Sequence, residues 1–210
     1  MMLGARTAAW GGKPLPYAKR VEYIRSSGRQ YINTGWLPVA GASLKLRFAH
    51  HNLNGARQLG CMQNNKKPYY LWYWTNTGII AFYFGNYPDA TERQHYIFTP
   101  QGTFLINQEY ELSYNGSTGE GSVDDLQFSG DICNSVPTVP FYLFARNNGV
   151  KADLFCEMSI YTFSAELDGE KLIDLIPVID LDGNAKMFDN VSGTYPEHYG
   201  TFIPGPDKTT

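Results

Sequence analysis

The chain has 210 residues, a net charge of −3 at neutral pH and 43% hydrophobic residues. This length suits one large β domain, which can bury most of the surface that its unfolded chain exposes. The charges are scattered and form no basic stripe, so we expect no nucleic-acid partner. No apolar run reaches the ~20 residues that span a bilayer, and Arg6, Gly11, Gly12 and Lys13 interrupt the stretch where a secretory signal would be continuous.

The three cysteines, Cys61, Cys133 and Cys156, are odd in number and far apart, and none belongs to a C-x-x-C pair. A zinc site therefore has no support, and we expect buried thiols, with a disulfide between two of them as the alternative. Because one cysteine would be left unpaired, the pattern favours assembly in a reducing compartment, and thus synthesis in the cytoplasm.

Residues 1–20 mix glycine, alanine, proline and basic residues without a period of 2 or 3.6. Such a stretch does not predict a core element, so we interpret it as an N-terminal arm. One interpretation of the arm is a flexible leader. The other is a docking segment, with Trp10 and Leu15 as apolar anchors on a larger assembly.

Two short β-type runs follow at residues 21–24 and 30–33, separated by the turn Ser26-Ser27-Gly28, in which the glycine supplies a positive φ. We predict that they form a hairpin at the opening corner of an all-β domain. Residues 43–48 then alternate apolar and polar side chains, which predicts a half-buried strand with Leu44, Leu46 and Phe48 facing inward.

The middle of the chain predicts a hairpin at residues 69–74 and 79–84, which are apolar on both faces and therefore belong in a sheet centre. Residues 109–114 end at Asn115-Gly116, the dipeptide that type I′ turns prefer. Further strands are predicted at residues 141–145, 153–163, 172–178 and 185–189, with turns at Asp168-Gly169 and Asp182-Gly183. Many short strands with regular turn signals are typical of a β-sandwich or jelly roll.

The stretch VEYIRSSGRQYINTG at residues 21–35 resembles the opening motif of concanavalin A-like, LamG-type jelly-roll domains of gut-bacterial and bacteriophage proteins. The runs at residues 141–146, 160–163, 174–178, 187–193 and 200–203 resemble the closing strands of the same group, in the same order. The resemblance covers residues 21–204. It implies an antiparallel two-sheet β-sandwich, preceded by the arm at 1–20 and followed by a flexible tail at 205–210, and a role in glycan binding, adhesion or virion surfaces.

Glu166, Asp168 and Glu170 form the E-x-D-x-E run that laminarinase-type glycoside hydrolases carry on this kind of jelly roll. Those enzymes need all five residues in one strand, so that the carboxylates converge on a cleft. Here Gly169 follows Asp168 and predicts a hairpin tip, where the carboxylates diverge into water. The sequence also contains no Gly-x-Ser-x-Gly elbow. We therefore predict no catalytic residues and no enzyme activity.

Asp180, Asp182 and Asn184 resemble a fragment of a calcium loop, but no closing glutamate follows at the required distance, and an Asx-turn explains the same residues. The four histidines, His50, His51, His95 and His198, do not place two ligands on one face. The prediction is no metal site and no cofactor.

Aromatic faces that stack on sugar rings, with amides or arginine beside them, are the pattern of a glycan site. The candidate ligand-binding residues are Tyr70, Trp72, Trp74, Tyr83, Asn86, Tyr87, Arg146 and Asn147. The alternative is that these aromatics form the second layer of the sandwich core.

The first functional hypothesis is a non-catalytic recognition module that binds glycans and is displayed on a phage virion or a bacterial surface. The second is a structural virion or appendage protein whose arm and aromatic face pack against other subunits, as part of a possible homo-oligomer. A glycoside hydrolase is the third.

Overall fold

The computed structural model describes residues 14–52, 57–63, 66–74, 80–85, 96–98, 100, 102, 104–129 and 136–208, and for 57, 62–63, 66–74, 80–85 and 96–98 the backbone alone. Every helix or strand within these residues is a β-strand. No helix in this part of the chain is long and apolar enough to cross a membrane. The strands are β1 (Lys19–Arg20), β2 (Ile24–Arg25), β3 (Tyr31–Asn33), β4 (Ser43–His50), β5 (Arg57–Gln63), β6 (Lys66–Trp74), β7 (Ile80–Gly85), β8 (Tyr96–Phe98), β9 (Glu109–Tyr114), β10 (Glu120–Val123), β11 (Leu126–Ser129), β12 (Tyr142–Leu143), β13 (Arg146–Asn147), β14 (Ala152–Asp153), β15 (Met158–Leu167), β16 (Glu170–Ile179), β17 (Ala185–Asp189), β18 (Glu197–Tyr199) and β19 (Ile203–Pro204).

These strands form two sheets. Sheet A has the order β1-β16-β15-β4-β9-β10-β11, with β17 beside β16 and β2 between β15 and β19. Sheet B has the order β18-β3-β12-β5-β6-β7-β8, with β13 and β14 beside β5. All strand pairs are antiparallel except β13 with β5. The predicted class, an antiparallel two-sheet β-sandwich, is confirmed.

Alternating side chains build the core between the sheets. Leu44, Leu46 and Phe48 of β4 are buried, as predicted, whereas Lys45 between them is exposed. Ile32 and Leu59 of sheet B belong to the same hydrophobic cluster. Each sheet therefore has an inner face in the core and an outer face.

The opening stretch forms a corner and not a hairpin. β2 pairs with β15 in sheet A, whereas β3 pairs with β12 and β18 in sheet B. Gly28 has the predicted positive φ, 91°. The turn residues thus gave the change of direction correctly, but each run hydrogen-bonds to strands far away in sequence.

Three other predicted elements differ from the structure. Residues 141–145 contain only the short strand β12, because Phe144 has a φ of 66°. The strand predicted at 153–163 begins at Met158. The connection after β9 is a five-residue loop, in which the Gly119 amide donates to the Asn115 carbonyl at 2.8 Å, and not a two-residue type I′ turn. The type I′ geometry occurs instead at Asp168 and Gly169, with φ values of 52° and 81°.

The N-terminal and C-terminal segments lie side by side on sheet A. β19 pairs with β2, Val21 bridges to Asp207, and the Lys208 amide donates to the Arg20 carbonyl at 3.1 Å. We call this pairing of residues 19–25 with 203–208 the terminal clasp. It attaches the segment predicted as a flexible tail to the sandwich as far as Lys208.

The last residues of the predicted arm also contact the sandwich. The Tyr195 hydroxyl donates to the Pro16 carbonyl at 2.7 Å, and Tyr17 packs edge-on against Phe188, with ring centroids 5.3 Å apart. Tyr17 and Tyr195 cover a small apolar cluster of Ile176, Val178 and Phe188 on the outer face of sheet A. Leu15 is half-buried and Trp10 lies outside the described residues, so their docking role stays a prediction.

Candidate functional site

A row of residues crosses the outer face of sheet B. Residues that pair directly across neighbouring strands lie on the same face of a sheet, and Ile32, Leu59 and Leu143, which occupy the alternate positions, are in the core. The strand registers therefore place on the outer face a row that reads Glu197, Asn33, Tyr142, Gly60, Leu71, Tyr83 and Tyr96.

Three tyrosines at one end of this face stack on one another. The ring centroids of Tyr31 and Tyr199 are 4.3 Å apart, with the planes 4° from parallel, and those of Tyr31 and Tyr142 are 5.0 Å apart at 27°. Tyr199 is 43% exposed, and Tyr31 and Tyr142 are half-buried. We call these three residues the tyrosine stack.

Glu197 is fixed beside the tyrosine stack. Its Oε2 accepts hydrogen bonds from Asn33 Nδ2 and from the Tyr199 hydroxyl, both at 3.0 Å. Asn33 is oriented in turn, because its Oδ1 accepts the Gly35 amide at 3.1 Å. The side chains thus form a connected polar group at the exposed edge of the stack.

The environment raises the pKa of all three tyrosines. Burial is the main cause for Tyr31, and the negative charge of Glu197 adds to it. Burial is also the main cause of the raised pKa of Tyr142, and the electrostatic effects of Tyr31 and Glu197 add to it. For Tyr199 the main cause is the hydrogen bond to Glu197, which the phenolate could not donate. The three hydroxyls therefore remain protonated donors at neutral pH.

The predicted glycan residues do not all share one face. Trp72 pairs with Leu59 and Tyr70 with Cys61, and both partners are core residues, so the register places Tyr70, Trp72 and Trp74 on the inner face. Tyr83 pairs with Leu71 and lies on the outer face. The register therefore places Tyr83 and the two tryptophans on opposite faces of sheet B. Their role in ligand binding stays a prediction. Asn86 and Tyr87 lie outside the described residues.

Arg146 and Asn147 hold the backbone together near this face. Arg146 forms two hydrogen bonds of 2.7 Å to the Asp153 carboxylate and one of 3.0 Å to Gln58 Oε1. Burial raises the pKa of Asp153, but the hydrogen bonds from Arg146 and Asn148 outweigh it, so the pKa is lowered overall. Asn147 is buried and donates to the Pro140 carbonyl at 2.9 Å. These polar groups are engaged within the protein, so a ligand would have to displace existing partners.

The carboxylate run at residues 166–170 does not converge on a cleft. Glu166 pairs with Lys171, Leu167 pairs with Glu170, and Asp168 lies in the turn between them. Glu166 and Glu170 are thus on opposite faces of the hairpin. The arrangement that a glycoside hydrolase needs is not formed by these residues.

The calcium-like loop is satisfied by the protein itself. Asp180 Oδ1 accepts the amides of Asp182 and Asn184 at 3.0 and 2.8 Å, and Lys186 Nζ is 2.8 Å from Oδ2. Burial alone would raise the pKa of Asp180, but the hydrogen bonds of Lys186 and Asn184 lower it to about 2. Among the described residues, no cluster of three or more histidine, cysteine, aspartate or glutamate side chains could hold a metal ion.

The remaining candidates that the structure describes are buried. Cys61 and Cys156 are buried thiols, as predicted, and Cys133 lies outside the described residues. His50 is buried against Phe48, with ring centroids 5.7 Å apart, and His95 lies outside the described residues.

His51 takes part in a hydrogen-bonded chain that the sequence did not indicate. Its Nδ1 is 2.7 Å from Asn107 Oδ1 and its Nε2 is 2.8 Å from Ser159 Oγ. The residue types are those of a nucleophile, a base and an orienting amide. Ser159 is only 1% exposed in the middle of sheet A, so its hydroxyl is out of reach of a substrate. We interpret the chain as a tie between β15, the end of β4 and the loop before β9.

Among solved structures, the chain is similar to the native heptameric SAP-like pentraxin from Limulus polyphemus. The two chains share 10% sequence identity, the match covers 72% of this chain and 73% of the pentraxin chain, and the TM-score is 0.46. No protein-family model matches the chain, and no curated protein matches it. The two-sheet sandwich expected from the resemblance is confirmed by the strand pairing itself, whereas the LamG type and the phage setting stay predictions.

Sequence reasoning missed Tyr31, Tyr142, Tyr199 and Glu197. The signal was weak: Tyr31 lies inside the opening motif, and Glu197 and Tyr199 alternate with His198 over only three residues. Their proximity follows from pairing between β18 and β3, which are separated by more than 160 residues.

Proposed function

We propose that this protein is a non-catalytic recognition module that binds glycans through the outer face of sheet B, and that it is displayed on a phage particle or a bacterial surface. The observation that carries the glycan-binding proposal is the tyrosine stack with Glu197 and Asn33 hydrogen-bonded at its exposed edge. The display proposal rests on the resemblance of residues 21–204 to phage and gut-bacterial jelly rolls.

The chemistry of the face suits a sugar. Carbohydrate C–H groups pack against aromatic rings, while hydroxyls exchange hydrogen bonds with carboxylate, amide and phenol groups. β18 is the first strand of sheet B and pairs with β3. One face of the Tyr199 ring stacks on Tyr31, and 43% of Tyr199 is exposed to solvent. A pyranose ring stacked there lies within reach of Glu197.

The same row continues across the sheet. Leu71, Tyr83 and Tyr96 follow Tyr142 on the outer face. Gly60, which has no side chain, lies between Tyr142 and Leu71.

A glycan array followed by calorimetry tests the proposal. We expect the wild-type protein to bind a subset of glycans, and Tyr199→Ala to weaken that binding by tenfold or more, as loss of one stacked aromatic contact of about 1.5 kcal/mol predicts. Tyr161→Ala is the matched control, because Tyr161 is a half-buried tyrosine on sheet A that contacts Tyr23 and Arg47. The control should bind as the wild type does.

Two outcomes would contradict the proposal: no glycan bound by the folded wild-type protein, or equal binding by the wild type and Tyr199→Ala. If no glycan binds but the wild-type protein self-associates, and Tyr199→Ala abolishes this association, the protein is instead a structural subunit. An exposed aromatic face also suits contact between subunits.

A further inference from the structure

We propose that the preferred ligand of the outer face of sheet B is a saccharide that carries a free, positively charged amine, and that the Glu197 carboxylate binds this amine. The inference rests on the proposed glycan binding and goes further by naming the class of sugar. It follows from the orientation, the charge and the surroundings of one carboxylate.

The orientation of Glu197 is set before any ligand arrives. Oε2 already accepts two hydrogen bonds, from Asn33 and Tyr199. Within the described part of the chain, Oε1 accepts none. A carboxylate that is held through one oxygen presents the other as a fixed acceptor, so little side-chain entropy is lost when a ligand donates to it.

The charge of Glu197 is not neutralised by a neighbour in the described structure. The ion pairs of the described residues use the carboxylates of Asp207, Glu157, Glu109, Asp153, Asp174 and Asp180. The carboxylate accepts the hydroxyl of Tyr199 at the edge of the tyrosine stack, and its charge raises the pKa of Tyr31 and Tyr142. The faces of these rings are themselves electron-rich. The site is thus negative and aromatic, a combination that attracts cations.

These surroundings distinguish three kinds of sugar. A neutral sugar can donate a hydroxyl to Glu197. An ammonium group donates a charge-assisted hydrogen bond, which is about twice as strong as a neutral one, and is attracted to the ring faces as well. An acidic sugar is repelled. The ring of an amino sugar packed on the exposed part of Tyr199 can direct its amine toward Glu197, because the Tyr199 and Glu197 side chains are hydrogen-bonded to each other.

The test compares two ligands that differ only in the amine: a tetramer of glucosamine and the same tetramer with every amine acetylated. We expect the wild-type protein to bind the free-amine tetramer about tenfold more tightly, the ratio that about 1.4 kcal/mol predicts. The ratio should fall as salt is raised, because the Glu197 site is exposed to solvent. Glu197→Gln should bring the ratio close to one.

Glu111→Gln is the matched control, since Glu111 is an exposed strand glutamate on sheet A, and it should keep the wild-type ratio. An oligolysine with the same number of amines tests whether charge alone suffices, and we expect it to bind much more weakly than the free-amine tetramer.

A ratio near one in the wild type, a preserved ratio in Glu197→Gln, or equal binding of oligolysine would overturn the inference. If neutral glycans still bind in that assay and Tyr199→Ala weakens their binding, the proposed glycan binding stands and only the preference for an amine fails. If no saccharide binds, both fail.

Discussion

A side chain at position 116 would meet backbone atoms and not solvent. A Cβ built on Gly116 lies 2.4 Å from the Ala42 carbonyl oxygen and 2.8 Å from the Gly41 carbonyl carbon. Neither atom can move without shifting the start of β4. We therefore expect Gly116→Ala to lower the free energy of unfolding by about 2 to 3 kcal/mol, within the range for overpacking, as measured by urea denaturation.

Thr118→Ala in the same loop is the control for this prediction. Thr118 is exposed and its hydroxyl bonds only to Glu120, two residues further along the chain, so the expected change is within about 0.5 kcal/mol. Equal stability of Gly116→Ala and the wild type would show that residues 41–42 and the loop at 115–119 can move apart at no cost.

At the scale of single residues, the sequence predicted burial well where a period of two was intact. Leu44, Leu46 and Phe48 are buried because β4 is regular along their length. The sequence could not predict the role of Asn115-Gly116, because Gly116 is required by the close approach of residues 41–42 and not by a positive φ. A single sequence contains the turn residue but not the segment that packs against it.

The corner between β2 and β3 depends on one buried hydroxyl. Ser26 is fully buried, its Oγ donates to Gln30 Oε1 at 2.9 Å and accepts the Gly28 amide at 3.0 Å. Ser26→Ala leaves the Gly28 amide without this acceptor, so we expect a loss of about 1 to 3 kcal/mol. Urea denaturation of the variant measures it.

Ser27→Ala is matched to this variant, because Ser27 is the exposed neighbour that also bonds to Gln30. We expect a loss of less than about 0.5 kcal/mol. If the two alanine variants were equally stable, the buried hydroxyl would not be what holds the corner.

At the scale of elements, turns were easier to predict than partners. Asp168-Gly169 joins β15 and β16 as expected, because a two-residue loop with two positive φ values forces adjacent pairing. The turn at residues 26–28 is longer, and the runs around it can pair elsewhere. Local residues determine where the chain reverses its direction, whereas pairing with strands distant in sequence determines which sheet each run joins.

His198 connects the two sheets and makes the stability of the whole molecule depend on pH. Its Nε2 accepts the Met187 amide of β17 at 2.8 Å, and its Nδ1 donates to the Pro196 carbonyl at 2.7 Å. Burial lowers the pKa of His198 to about 4, and the nearby Lys186 also lowers it, against the opposing effects of the Pro196 hydrogen bond and Asp180. The neutral ring is therefore the form that fits the folded protein.

The direction of the pH effect follows from these values. Between pH 6.5 and 4 the unfolded chain binds a proton that folded His198 does not, so stability is complete above pH 6.5 and falls as the pH drops toward 4. The expected loss is about 3 kcal/mol over this window. Urea denaturation at pH 7 and pH 4.5 measures it.

His198→Gln keeps an acceptor for Met187 but cannot titrate. We expect this variant to lose less stability than the wild type between the two pH values. If the free energy of unfolding fell equally for both proteins between the two pH values, the pKa of His198 would not be lowered in the folded protein.

At the scale of the molecule, the all-β sandwich could be predicted from many short strands and turns, but the candidate site could not. The sequence drew attention to Trp72 and Trp74 because they alternate in one aromatic run, but the register pairs Trp72 with the core residue Leu59. The tyrosine stack is assembled from β18, β3 and β12, whose order in space no local pattern contains.

The terminal clasp determines how the protein responds to a pulling force. Residues 19–20 and 207–208 lie next to each other, so tension applied through both ends acts across the short pairing of residues 19–25 with 203–208. Its hydrogen bonds break one after another, as in a zipper, and do not share the load. We expect this pairing, together with that of residues 19–20 with β16, to be the first to separate under tension.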